Sequence, residues 1–304
     1  MTTVTTQLGN ITGKSEPVHK ETSMKIGLFG ININHLAQPK EAAIIAQHAE
    51  ALGFESLWTG EHVVLPDPRQ APSHTDPDTP MAHPPAFLAY LAALTSTIKL
   101  GTGITLVAQR NPVVLAKEIG TLDLITEGRL LFGVGAGYLH QEFEALGVDF
   151  ESRGPRTDES IDAMRALWRD PKPSFQGKYT QFDGVQAQPR PTRPEGPPLH
   201  VGGASPAALR RTVTKGHGWY GFAMDVATAG KTIDRLRAAE ARHERPNWLG
   251  DIEISITPPK PPTKAMVEDY QALGVSRVIP MLGFYPQVSM MLDLEKLAAD
   301  LIQS

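Results

Sequence analysis

The sequence predicts a (β/α)8 barrel with an insertion between its fourth and fifth strands. Two observations carry this. Short apolar segments alternate eight times with helical ones between Met24 and Ser304. Such an order implies parallel strands joined by helical crossovers. Several strands also run into glycine-rich loops, among them Gly101-Thr-Gly103 and Gly133-Val-Gly-Ala-Gly137. In a βα barrel that edge holds the chemistry. A chain of 304 residues, 41% hydrophobic, is long enough to bury one core of this size. A doubly wound open sheet is the rival architecture for the same alternation.

Residues 1–23 are polar and threonine-rich, lack the apolar middle of a signal peptide, and read as a flexible extension. Residues 24–304 then form a single domain. Met24–Phe29 is the first strand, and Pro39–Leu52 a helix with Ala42, Ile45, Ala46 and Ala49 on one face. Gly53 ends that helix. Ser56–Thr59 is the second strand, and the proline-rich stretch 65–85 a loop. A helix over 85–97 leads to the third strand, Lys99–Thr105. Pro112 opens a helix that ends near Gly128. The fourth strand is Arg129–Val134. A short extra helix over 138–146 and a longer one over 155–168 come next. Residues 171–197, rich in Pro, Gly and Arg, form the insertion, a hairpin with strand pieces near Tyr179 and Val185. The remaining strands are 199–201, 219–222, 252–256 and 277–281. Their helices are 205–215, 226–242, 263–273 and 288–302.

Composition excludes several functions. A net charge of -4 provides no basic surface for nucleic acid or an anionic membrane. The absence of cysteine excludes disulfides, thiolate metal sites and cysteine nucleophiles, and suits a reducing cytoplasm. No apolar run approaches a membrane span. The histidines form neither a His-x-His pair after the first strand nor a His-Glu-x-x-His motif, so no metal site is expected. Gly133-Val-Gly-Ala-Gly137 lacks the third glycine of a dinucleotide fingerprint.

An ordered set of fragments adds a resemblance. They are 49–62 (Ala-Glu-Ala-Leu-Gly-Phe-Glu-Ser-Leu-Trp-Thr-Gly-Glu-His), Leu100-Gly-Thr-Gly-Ile104, Arg110-Asn-Pro112, Glu127-Gly-Arg129, Gly133–Gly137, Pro198-Leu-His-Val-Gly-Gly203 and Gly216-His-Gly-Trp219. With them the chain resembles the luciferase-like monooxygenase family, in particular its branch of oxidoreductases using the deazaflavin coenzyme F420. The resemblance implies a barrel with a flavin or deazaflavin across the carboxyl edge of the strands. It also implies a homodimer packed through the early helices, and a non-proline cis peptide at Gly103-Ile104 bulging against the ring system.

The residues themselves nominate a site. His62 lies just past the second strand, and its imidazole can exchange a proton near neutral pH; Glu61 beside it would orient or charge it. Gly202 and Gly203, before a helix opened by Ser205 and Pro206, present backbone N–H groups suited to a phosphate. Gly135 and Gly137 would let a ligand approach the backbone, with Tyr138 bonding or stacking on it. Asn32 and Asn34 are candidate pocket residues. Asn111 reads as a helix cap, Asp123 and Arg129 as structural, and Trp58 as barrel core. The expected activity is hydride transfer between F420 and a small organic substrate in the cytoplasm. The alternative is an FMN-dependent monooxygenase on the same fold. A non-catalytic flavin-binding barrel and a metal-dependent hydrolase are more distant rivals.

Overall fold

The computed structural model describes residues 24–303, so the extension expected over 1–23 lies outside the described residues. In chain order the elements are β1 (Lys25–Phe29), α1 (Pro39–Leu52), β2 (Ser56–Thr59), α2 (Pro84–Ala92), β3 (Lys99–Thr102), β4 (Thr105–Leu106), α3 (Pro112–Ile125), β5 (Leu130–Gly135), α4 (His140–Ala145) and α5 (Arg153–Arg169). There follow the hairpin strands β6 (Phe175–Gln176) and β7 (Gln181–Phe182), then β8 (Leu199–Gly202), α6 (Pro206–Lys215), β9 (Gly218–Gly221), α7 (Val226–Glu240), β10 (Glu253–Ile256), α8 (Lys264–Ala272), β11 (Arg277–Val278) and α9 (Met290–Leu301). β1, β2, β3, β5, β8, β9, β10 and β11 pair in parallel and close into a barrel through β3 and β5, with Leu100 opposite Leu130. β4 continues the third strand beyond the cis peptide Gly103–Ile104 and pairs with β5.

Local chemistry sets the helix ends. Asn111 accepts from the Val113 and Val114 amides to cap α3. Gly53, at φ 87°, closes α1 by returning its N–H to Ala49 and Glu50. α2 stops at Ala92, five residues short of the expected end. There the Arg129 guanidinium takes the carbonyls of Ala92, Thr95 and Ile98 and ends the helix ladder. The insertion is the predicted hairpin, but its strands sit at 175–176 and 181–182, not near Tyr179 and Val185. Glu159 of α5 accepts the amides of Lys178, Tyr179 and Thr180 and holds those residues as the turn. Asp123 of α3 takes both the amide and hydroxyl of Thr192, and Lys117 bonds the Gln188 carbonyl. The insertion is therefore fastened to α3 and α5 as a fixed wall.

Alternation along the strands divides two layers. Outward residues such as Leu28, Leu57, Phe132 and Ile254 pack under the helices in the larger core. Inward residues Phe29, Trp58, Leu131, Tyr220 and Ile279 fill the barrel. Trp58 and Tyr220 stack with ring centroids 5.5 Å apart. A Cβ on inward Gly101 would fall 2.6 Å from the Trp58 ring, so glycine there makes room for the indole.

The amino end of the barrel is closed by charge. Arg277, fully buried at the start of β11, binds Glu55 through two bonds of 2.8 and 2.9 Å and Glu253 through one of 2.8 Å. Lys99 pairs with Glu55 at 2.9 Å, and Lys25 with Glu253. His200 lies above with Nε2 3.4 Å from Glu253.

Candidate active site

At the opposite, carboxyl end, the loops after β2, β4 and β5 converge. Asn32 clamps the first of them, donating to Gly60 and Ala82 carbonyls and accepting from the Gly60 amide at 2.9 Å. Asn32 is fully buried by these bonds; Asn34 is exposed, at φ 56°. The clamp fixes the chain that carries Glu61 and His62.

His62 bonds two side chains from the segment after β5. Its Nδ1 lies 3.3 Å from Glu142 Oε2 on α4, and its Nε2 lies 3.2 Å from the Tyr138 hydroxyl. Glu142 is 1% exposed, and its other oxygen accepts the Val63 amide at 2.6 Å. Burial alone would raise the Glu142 carboxyl. Bonds from His62 and Val63, with the Gln109 amide against it, outweigh burial and hold it below the usual carboxylate range. Burial, then the Glu142 charge, raises the Tyr138 phenol, which stays protonated at neutral pH. Tyr138 is 43% exposed, so the triad opens to solvent at one end only.

Glu61 does not orient His62. Its side chain turns to the β4 segment, where Oε1 accepts the Leu106 amide at 3.2 Å and Arg110 at 2.9 Å. Arg110 also reaches His83 at 3.1 Å. The acid that meets His62 stands 80 residues further on, and no local motif pointed to it. Its only sequence signal is its placement four residues beyond Tyr138, one helical turn into α4.

The glycine-rich strand ends also acquire a reason. A Cβ on Gly135 would sit 2.1 Å from Ile104 Cδ1, and one on Gly202 2.6 Å from it. The group packed against both glycines is therefore Ile104, carried past the cis peptide, where a ligand was expected at Gly135 and a phosphate at Gly202. Gly137, at φ 86°, lies against the Phe143 ring. A Cβ on Gly203, at φ 99°, would meet nothing nearer than Ala208 Cβ at 3.5 Å, and the Gly203 carbonyl accepts from Trp219 Nε1 at 2.8 Å. Ser205 caps α6 by accepting from the Ala208 amide. Thus Ile104, Gly135 and Gly202 form one cluster at the rim, Gly203 and Ser205 stand at its α6 edge, and His62 with Tyr138 lies toward α4.

Among the described residues, buried rim atoms without a partner include Glu61 Oε2, Thr105 Oγ1, Arg110 Nε and the Gln109 amide. Buried polar groups are ordinarily satisfied, so a donor- and acceptor-rich ligand edge fits here. No group of three or more His, Asp or Glu side chains among the described residues has a metal-holding arrangement.

A barrel of this topology defines a fold class, and sequence comparison places the chain within one family of it. Residues 20–259 match the luciferase-like monooxygenase family, and the chain belongs to it. An uncharacterized protein of Mycobacterium tuberculosis, Rv0953c, is 28% identical over 247 residues, covering 78% of this chain and 85% of that one. The F420-dependent glucose-6-phosphate dehydrogenase of Kineococcus radiotolerans is 30% identical over 200 residues, covering 64% of this chain and 54% of the relative. An F420-dependent secondary alcohol dehydrogenase, solved with an F420–acetone adduct, superposes with a TM-score of 0.73 at 18% identity. It covers 91% of this chain and 98% of the other, and shows a shared fold. No helix among the described residues is long and apolar enough to cross a membrane.

Proposed function

We propose that this chain is an oxidoreductase moving hydride between coenzyme F420 and a small organic substrate at the carboxyl rim. The observation that carries this is the His62–Glu142–Tyr138 chain beside partnerless buried rim atoms of Glu61, Thr105, Gln109 and Arg110. The F420-dependent relative supports the choice of coenzyme. The groups proposed to hold the coenzyme are Gly103, Ile104 and Tyr138 along the ring, with Gly135 and Gly202 making room for Ile104 and Gly137 for Phe143, and Gly203 and Ser205 at the phosphate. A helix N-terminus attracts an anion. When bound, the coenzyme supplies a carbon that accepts or releases hydride. His62 holds or moves the accompanying proton through Nε2. Glu61 keeps Leu106 and Arg110 in place, and Ile104 presents an apolar wall that limits water.

The family's monooxygenase description, with an FMN-bound monooxygenase among the solved structures of this fold, supports a second reading, reduced FMN with oxygen on the same rim. Equilibrium titration of the protein with F420 and with reduced FMN separates the two. F420 is expected to bind at least about tenfold tighter, a gap of about 1.4 kcal/mol. The reverse order selects the monooxygenase reading, and binding of neither ends both. The cysteine-free composition supports a cytoplasmic setting.

The proposal includes a homodimer. α3 exposes Val113, Val114, Leu124 and Ile125, and positions eleven apart, three turns, share one face. Such a stripe suits an interface. Light scattering is expected to give twice the chain mass, and V114D to give the single mass. A wild-type monomer at micromolar concentration would rule the dimer out.

A further inference from the structure

We propose that Glu142 is the positioning residue of this site: it fixes the His62 imidazole in the Nδ1-protonated tautomer, so that Nε2 is the nitrogen offered to Tyr138 and to the reaction. An ionised carboxylate only accepts. Glu142 Oε1 is engaged by the Val63 amide, and Oε2 faces His62 Nδ1 at 3.3 Å. That contact is a hydrogen bond only when Nδ1 carries the proton. In the neutral ring Nε2 is then an acceptor, and the Tyr138 hydroxyl 3.2 Å away donates to it.

The arrangement has a direction. Glu142 is buried, His62 is nearly so, and Tyr138 reaches solvent. A proton arriving at Nε2 makes an imidazolium, and the buried carboxylate on Nδ1 compensates its charge. Tyr138 must then turn its hydroxyl hydrogen away and accept from Nε2–H, which its exposed position permits. The other charged groups nearby do not compete for the ring. Glu61 turns Oε1 to Leu106 and Arg110, and Arg110 turns to Glu61 and His83, so neither bonds the His62 ring. Gln109, on the far side of Glu142, is neutral.

The use of this tautomer in a reaction rests on the oxidoreductase reading, but the tautomer itself is measured without coenzyme. The chain has ten histidines, and H62N identifies the signals of interest in a ¹⁵N-histidine spectrum of the apo protein at pH 7.5. Wild-type His62 is expected to show a pyrrole-like Nδ1 and a pyridine-like Nε2. E142Q keeps a carbonyl for the Val63 amide and turns an amide N–H toward Nδ1. Its His62 is therefore expected in the opposite tautomer. Y138F removes only the outer bond and is expected to leave Nδ1 protonated.

A wild-type Nε2–H tautomer overturns the proposal, as does an E142Q spectrum matching wild type. Should E142Q fail to fold, the wild-type and Y138F spectra still decide, since the assignment is a property of the native ring. With F420 bound, E142Q is expected to keep coenzyme affinity within about threefold while kcat falls about 10²-fold or more. A failed F420 titration removes the reaction and leaves the tautomer result standing, so the two failures are distinguishable.

Discussion

R277M is expected to lose about 3 kcal/mol of stability, measured as a fall in the urea midpoint at pH 7.5 with unchanged slope. The arginine is fully buried and makes three bonds to Glu55 and Glu253, with a fourth to Ser255 at 2.9 Å. Removing one partner from a buried ionic group strands the other charges, at a cost of about 3–5 kcal/mol. The low end applies because Lys99 stays on Glu55 and Lys25 on Glu253. Neutralising the stranded acids as well, in R277M/E55Q/E253Q, is expected to restore part of the loss. A single variant within 1 kcal/mol of wild type, well below the cited range, would show that water already screens the network.

The same layer makes the fold acid-sensitive. Burial first, then the Arg277 charge, pushes His200 down to about 3 from its ordinary 6.5. The unfolded chain therefore binds a proton in that window and the native state does not. Stability is whole above 6.5 and falls as pH drops toward 3. Burial, the largest single influence, would raise Glu253, but Arg277, His200 and Lys25 together outweigh it and hold the acid at about 2. Its contribution is present above its ordinary 4.5 and lost as pH falls toward 2. The urea midpoint should therefore begin to fall between pH 6.5 and 5, above the ordinary 4.5 at which the Glu253 contribution starts to be lost. A flat midpoint down to 4.5 would contradict the burial of a neutral His200.

The second large effect concerns activity. H62N is expected to lower kcat by about 10²- to 10⁴-fold, the range for losing a positioned proton-transfer group, while F420 affinity changes less than about threefold. The assay is F420 absorbance change with a small alcohol or ketone found by screening against the wild type. Asparagine retains polarity and bonding at Glu142 but exchanges no proton near neutral pH. Undiminished turnover would assign the proton elsewhere and favour a binding role for the loop. Equal loss of coenzyme affinity would mean that His62 holds the ring and does not transfer a proton.

The fold was legible because its signals are local. The stripe of α1, the prolines opening α2 and α3, and the Asn111 and Ser205 caps lie within a few residues of what they specify. The end of α2 was not, because Arg129 reaches it from 37 residues away. His62 was legible as a residue type at a strand end, and its environment was not. Glu61 is adjacent in sequence yet faces away, because the Leu106 amide and Arg110 hold it.

Sequence alone determined the βα alternation, the place of the insertion, and a rim carrying His62, Tyr138 and Gly202–Gly203. Periodicity and capping are short-range properties that a chain states openly. Tertiary structure decided which acid meets His62, that Gly135 and Gly202 yield to Ile104, and that Arg277 seals the barrel floor. Those depend on curvature bringing strands separated by tens to hundreds of residues around one axis. There, side-chain volume and unpaired charge must be settled between neighbours that no local pattern joins.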